Sequence, residues 1–364
     1  MNYRTGNCSA ENCWRGRLPM MSSRLVLGWM LCCALLLAGC PMNPANQAGE
    51  GAVKTADGKT LTPVEITLNW FPEAEHGGFY AALVNGYFEE EGLAVTIKPG
   101  GPDIPVVQYV AAGQTQFGVD NADKLLLVRA QEADAVAVLA PLQDSPRCIM
   151  VQAESGIKTF DELAAKPKFT LAMNPGQPFA MYLQKKLDLS KVTVVPYGGS
   201  LVPFLTEKDF GTQAYNFSEP FNARKQNANP VNLMVSDLGF NPYTSLLITS
   251  RELIEKNPEL VQKVVRASLK GWRKYLDDPH GTNTYINSLN KEMGMDILDF
   301  GVETLKPLCE PARLPAGQLG KMDPAEWTKL SQQLVEMGAL EASQSAPEKA
   351  YTTQFFEAAT KPEK

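Results

Sequence analysis

An alternation of short apolar strands and helical stretches runs from about residue 64 to 152 and starts afresh after residue 155. Each such set needs a sheet covered by helices, so two sets predict two α/β lobes. In the first set, residues 64–68, 95–97, 117–119, 135–139 and 148–152 read as strands. Helical spacing marks residues 77–91, where Phe79, Leu83, Tyr87 and Phe88 are apolar, then 108–112 ending at Gly113, and 122–130. In the second set, Thr159-Phe160-Asp161-Glu162 has the spacing of a capping box. Strands follow at 169–173, 192–195, 213–217 and 231–235, with a helix at 178–187. Residues 246–248 read as a returning strand and 251–305 as nearly all helix. Asp323-Pro324-Ala325-Glu326 opens a last strong helix that Gly338 stops, and a short helix is expected at 351–358. The alternation predicts mostly parallel sheets with the ligand cleft at their carboxyl edges, between the lobes. The expected limits are 63–154 plus 244–345 for lobe 1, 155–243 for lobe 2 and 346–364 for a C-terminal tail, with crossings near 152–156 and 241–245.

The amino-terminal region has a different character. Arg15, Arg17 and Arg24 precede an apolar run at 25–38 that closes on Leu37-Ala38-Gly39-Cys40. That run has signal-peptide length and is short for a membrane span. Small residues before a cysteine suit a lipoprotein cleavage site, so residues 1–39 read as a signal peptide and Cys40 as the lipidated amino terminus. Residues 40–62 are polar, with Pro and Gly, and read as a flexible tether. A lipid on a tether holds a body at a membrane without spanning it, so the expected location is extracytoplasmic and membrane-anchored. Of seven cysteines, Cys148 and Cys309 remain in the body, as a disulfide or as two buried thiols. The whole chain carries −6. Removing 1–39, with four arginines and one glutamate, makes it more acidic, which excludes a basic nucleic-acid footprint. With His76 and His280 alone, a multi-histidine metal site is excluded, and no metal or cofactor is expected.

Residues 66–97, with Leu68-Asn69-Trp70, His76, Gly86-Tyr87-Phe88-Glu89 and Gly92-Leu93, resemble the opening of solute-binding proteins related to the fungal thiamine-pyrimidine synthase. The run Val110-Ala111-Ala112-Gly113-Gln114-Thr115-Gln116-Phe117-Gly118, the Ser218-Glu219-Pro220 triplet, Lys256-Asn257-Pro258-Glu259, Lys270-Gly271-Trp272 and Asp278-Pro279 extend the resemblance over about 64–340. It implies a type 2 periplasmic-binding-protein fold that closes over a small heteroaromatic solute, above all a thiamine-precursor pyrimidine, and hands it to an ABC permease and its ATPase, acting as a monomer. Flavin, alkanesulfonate or nitrate are alternative ligands carried by relatives of this fold. The synthase pattern places a lysine after the third strand and a histidine four residues on. Here Asp120 and Lys124 stand at those places and no cysteine cluster follows, so a binder is expected rather than an enzyme.

The site residues follow from strand ends and from the resemblance. Asn69 and Trp70 end the first strand, where an indole can stack on a ring and an amide can pair with its nitrogens. His76 precedes Gly77-Gly78 at a helix start, and Tyr80 is expected on the cleft wall. Asp120 and Asn121 read as an N-cap or as cleft residues. Asn174, in the turn Asn174-Pro175-Gly176-Gln177, reads as a βα turn or as a ligand neighbour. Tyr215, Asn216 and Glu219 complete the set, with Glu219 either recognising an aminopyrimidine edge or complementing a helix dipole.

Overall fold

A computed structural model describes residues 52–54, 58–102 and 104–361 of the chain. The leader at 1–39, the lipidation at Cys40 and residues 40–51 and 55–57 of the tether lie outside the described residues. The described residues of the tether, 52–54 and 58–62, lead into the fold. Strand β1 (Val53–Lys54) pairs antiparallel with β2 (Thr60–Thr67), and Leu61 is buried, so the first sheet already includes Val53 and Lys54.

The first sheet runs β1-β2-β4-β11-β5, with β3 also paired to β2. Here β3 is Leu93–Lys98, β4 is Phe117–Asp120, β5 is Ala135–Leu139 and β11 is Leu246–Ser250. The second sheet runs β10-β6-β9-β7-β8, formed by β6 (Arg147–Gln152), β7 (Phe169–Ala172), β8 (Val192–Val195), β9 (Phe210–Tyr215) and β10 (Pro230–Met234). The expectation of mostly parallel sheets is corrected. β2 is parallel to β3 and β4, and β7 to β8 and β9, but β11 runs antiparallel to β4 and β5, and β6 antiparallel to β9 and β10. The two reversed strands are those that follow each crossing. A chain that leaves one sheet at its carboxyl edge enters the other from that same edge, and so runs against its new neighbours.

This also moves the first crossing. The strand beginning at Arg147 belongs to the second sheet, and residues 152–156 hold its end and the turn Ala153–Ser155. The chain passes between sheets at 140–146 and returns at 235–245. Leu142 and Thr244 pair across these segments, Ser145 N donates to Asn241 Oδ1 at 2.7 Å, and Asn241 Nδ2 donates to Asp144 Oδ1 at 2.6 Å. Arg313 binds the same aspartate through two nitrogens, at 2.7 and 3.0 Å.

Helices behave as their punctuation predicts, with one break. Thr159 and Glu162 form the reciprocal capping box before the helix Phe160–Ala165, and Asp323 caps Ala325 N at the start of Pro324–Glu336. The stretch 77–91 splits into Gly77–Val84 and Tyr87–Glu90 because Gly86 takes a left-handed conformation (φ 73°). Gly77 and Gly78 let this first helix lie directly on Pro258–Asp277. A Cβ on Gly77 would fall 2.0 Å from the Tyr275 ring, and one on Gly78 2.1 Å from Trp272. The carboxyl-terminal stretch is no loose tail: Tyr351 bridges to Ala137 and stacks on Trp327 at 5.2 Å, and Phe355 and Phe356 are buried in the first lobe. Cys148 and Cys309 are separate buried thiols. No described helix is long and apolar enough to cross a membrane.

Candidate functional site

The mixed sheets bring unlike strand ends to one edge. In the second sheet Arg147 pairs in register with Tyr215, so the start of β6 stands beside the end of β9. In the first sheet Leu246 pairs with Asp120, so the return crossing reaches the start of the helix Ala122–Arg129. Between these edges lies a cavity of about 270 Å³. The first lobe contributes Asn121, Asp123, Lys124 and Leu127. The second contributes Arg147, Tyr215 and the turn 176–179 with the Phe179 ring. Ser145, Phe240, Pro242 and Thr244 come from the crossings.

Two of the expected site residues, Asn121 and Tyr215, therefore line the cavity, and they meet across it. Asn121 Nδ2 donates to the Tyr215 hydroxyl at 3.2 Å, while its Oδ1 accepts from Ser245 N at 3.3 Å. Ser245 is fully buried with φ 54°, a costly conformation for a non-glycine residue at the junction of lobe and crossing. Burial pushes the Tyr215 phenol up to about 12, against the pull of Arg147.

A second group lies behind the cavity. His76 is fully buried, and burial holds its imidazole down to about 3, so it is neutral. Asn69 Oδ1 can only accept, which puts the proton on His76 Nε2, 3.0 Å away. Glu75 Oε1 stands 3.3 Å from the same nitrogen. Burial raises the Glu75 carboxyl to about 8, with Asp120 and Glu219 adding repulsion and Arg147 opposing it. At neutral pH the pair is thus two neutral groups rather than an ion pair. Glu75 Oε2 is buried, and the Ser245 side chain acts with Arg147 to oppose the rise. Glu73, Asp120, Asp123 and Glu219 are raised as well, each chiefly by burial.

The remaining expected residues have other places. Asp120 pairs with Lys124 at 3.0 Å and accepts from Asn121 N at 2.9 Å, so it holds the helix start. Glu219 accepts from Tyr215 N at 2.9 Å, bracing the turn that carries Tyr215. Asn174 N donates to Gln213 Oε1 at 2.8 Å, and Asn216 N donates to Pro146 O at 3.0 Å; neither lines the cavity. Tyr80 is corrected from cleft wall to core: it is 1% exposed, with its ring 5.8 Å from Tyr285, because its face of the helix Gly77–Val84 turns inward. Trp70 is 40% exposed and packs edge-on against Phe71 at 5.4 Å, off the cavity wall.

Sequence reasoning missed Arg147, Asp123, Phe179 and Glu75. Arg147 was hidden by the assumption of parallel strands, in which the start of a strand lies away from the ligand. Its guanidinium packs over Tyr215 at 4.0 Å and Phe179 at 4.7 Å. Glu75 was legible in one respect, as the acidic neighbour of the histidine.

Comparison with known proteins agrees with this architecture. The chain is 27% identical to the formylaminopyrimidine-binding protein of Halalkalibacterium halodurans over 83% of its own length and 90% of that protein's. It is 24% identical to the riboflavin-binding protein RibY of Chloroflexus aurantiacus, over 92% and 98% respectively. The crystal structure of a putative periplasmic sulfonate-binding protein, SsuA of Methylobacillus flagellatus KT, superposes with a TM-score of 0.61 at 15% identity, over 82% of this chain and 94% of that one, so the fold is that of the periplasmic binding proteins. The family model described as NMT1/THI5 like matches residues 73–282, more than half of the sequence, and the chain belongs to that family.

Proposed function

We propose that the protein is the solute-capturing component of an ABC importer, held at a membrane by lipid on Cys40, and that it takes a single-ring heteroaromatic solute, a pyrimidine precursor of thiamine. The observation that carries this reading is the cavity itself. It is walled by both lobes, which suits capture by closure, and it combines the aromatic rings of Tyr215 and Phe179 with polar groups of both signs. Its volume of about 270 Å³ lies just below the roughly 300–1,000 Å³ of pockets for drug-sized ligands. One ring with a short substituent suits that volume better than an isoalloxazine with its ribityl chain. Similarity to a formylaminopyrimidine-binding protein supports the same choice. A binder rather than a synthase is supported by Asp120 and Lys124, which engage each other.

In this reading lobe 1 comprises about 60–139 and 246–361, lobe 2 about 147–234, and the two intervening crossings form the hinge. Calorimetry with a formylaminopyrimidine, riboflavin and ethanesulfonate tests the assignment. Tight binding of the first alone is expected, with a smaller radius of gyration by solution scattering. Preference for either of the others refutes the pyrimidine. Cys40→Ser should release the protein from membranes, and retention of the variant there would refute the anchor.

A further inference from the structure

Resting on the reading of the cavity as a pyrimidine site, we infer that Arg147 determines ligand choice by donating hydrogen bonds to an uncharged carbonyl oxygen on the ring's substituent. The guanidinium lines the cavity and packs over the rings of Tyr215 and Phe179. Among the described residues the guanidinium makes no hydrogen bond and no ion pair, although five N–H donors lie in its plane. A half-buried guanidinium whose face is covered by aromatic rings and whose donors are unused is prepared for an acceptor brought by the ligand. The stacking also holds the plane in place, since Tyr215 is fixed by Glu219 through its backbone and by Asn121 through its hydroxyl.

The surrounding charge selects the kind of acceptor. Asp123 shares the cavity wall, and Asp120 and Glu219 stand close behind it. The other cation on the wall, Lys124, is engaged by Asp120. A phosphate or sulfonate would meet one available cation among several acidic groups. A carbonyl accepts the same hydrogen bonds without bringing charge into that field. Hydrogen bonds to a charged donor are stronger than neutral ones, so a ligand lacking the oxygen leaves the guanidinium desolvated and unpaired.

The test is the ratio of affinities within two matched pairs. One pair is a formylaminomethyl-pyrimidine and its analogue with an n-butyl side chain; the other is nicotinamide and 3-isopropylpyridine. The wild-type protein should prefer the carbonyl member of a pair it binds by about 10- to 100-fold. Arg147→Met should reduce that preference about tenfold or more, with the apolar member bound more tightly than by wild type because no guanidinium is left unpaired, which also shows that the variant is folded. Arg147→Lys, with charge but no planar fork, should keep part of it, and decides the matter if the methionine variant does not fold. An unaltered ratio in both variants overturns the assignment. A preference dependent on Arg147 for the pyridine pair alone overturns the pyrimidine and leaves Arg147 as the selector. Binding of neither pair by the wild-type protein overturns both.

Discussion

Replacing Glu75 by glutamine should stabilise the protein, increasingly as pH rises from about 4.5 to about 8. A free glutamate loses its proton near 4.5, whereas the buried Glu75 keeps its own to about 8. Between these values the native state binds one proton more than the unfolded chain, so stability falls as pH rises and the loss is complete above about 8. At 1.36 kcal/mol for each tenfold change in proton concentration, the ceiling on that loss is about 5 kcal/mol. Repulsion from Asp120 and Glu219 contributes to it, so an effect of roughly 2–5 kcal/mol is expected. Glutamine keeps the shape of the protonated acid and does not titrate. His76 acts in the opposite sense, since a base held neutral down to about 3 makes stability rise with pH up to its ordinary value of 6.5. That arm is common to both proteins and cancels in the comparison. Urea denaturation of wild type and Glu75→Gln should therefore give equal stability near pH 4, with the variant gaining steadily towards about pH 8.5. A constant offset, or a variant that is weaker at alkaline pH, would mean that Glu75 is ionised in the fold and paired with Arg147, and the account of a neutral cluster would be wrong.

Gly78→Ala should cost about 1–3 kcal/mol by overpacking, because the new methyl group falls 2.1 Å from Trp272; a thermal midpoint equal to wild type would show that the two helices can separate freely. Tyr215→Phe keeps the ring over Arg147 but removes the hydroxyl that accepts from Asn121 across the cavity. It should weaken lobe closure by about 0.5–1.5 kcal/mol, seen as a larger radius of gyration for the ligand-free variant in solution scattering. An unchanged radius would place the determinants of closure elsewhere, such as the contacts of Phe221 with Phe300 and Lys225 with Asp296.

Much of the architecture was written in local signals. The strand at 135–139 and the one at 192–195 appear where apolar alternation puts them. The Thr159–Glu162 box and the Asp323 cap act as their spacing requires. These features depend on neighbours within one turn or one strand, and a linear reading reaches that far. The resemblance carried by Asn69-Trp70, His76 and Glu219 likewise reached the family, because short motifs are preserved as strings.

Strand direction and site membership were decided only by the folded chain. Apolar alternation is the same whether a strand runs parallel or antiparallel, so nothing local marks β6 and β11 as reversed. That reversal moved the first crossing to 140–146 and set Arg147 beside Tyr215, 68 positions further along the chain. Burial had the same effect on chemistry. Trp70 read from the sequence as a cleft aromatic, yet it is 40% exposed, while Glu75, an acid that drew no expectation, is buried. Side-chain type sets what a group can do in water. Its charge state and its access to a ligand depend on which distant segments remove that water, and residues far apart in sequence share a cavity only once the sheets are paired.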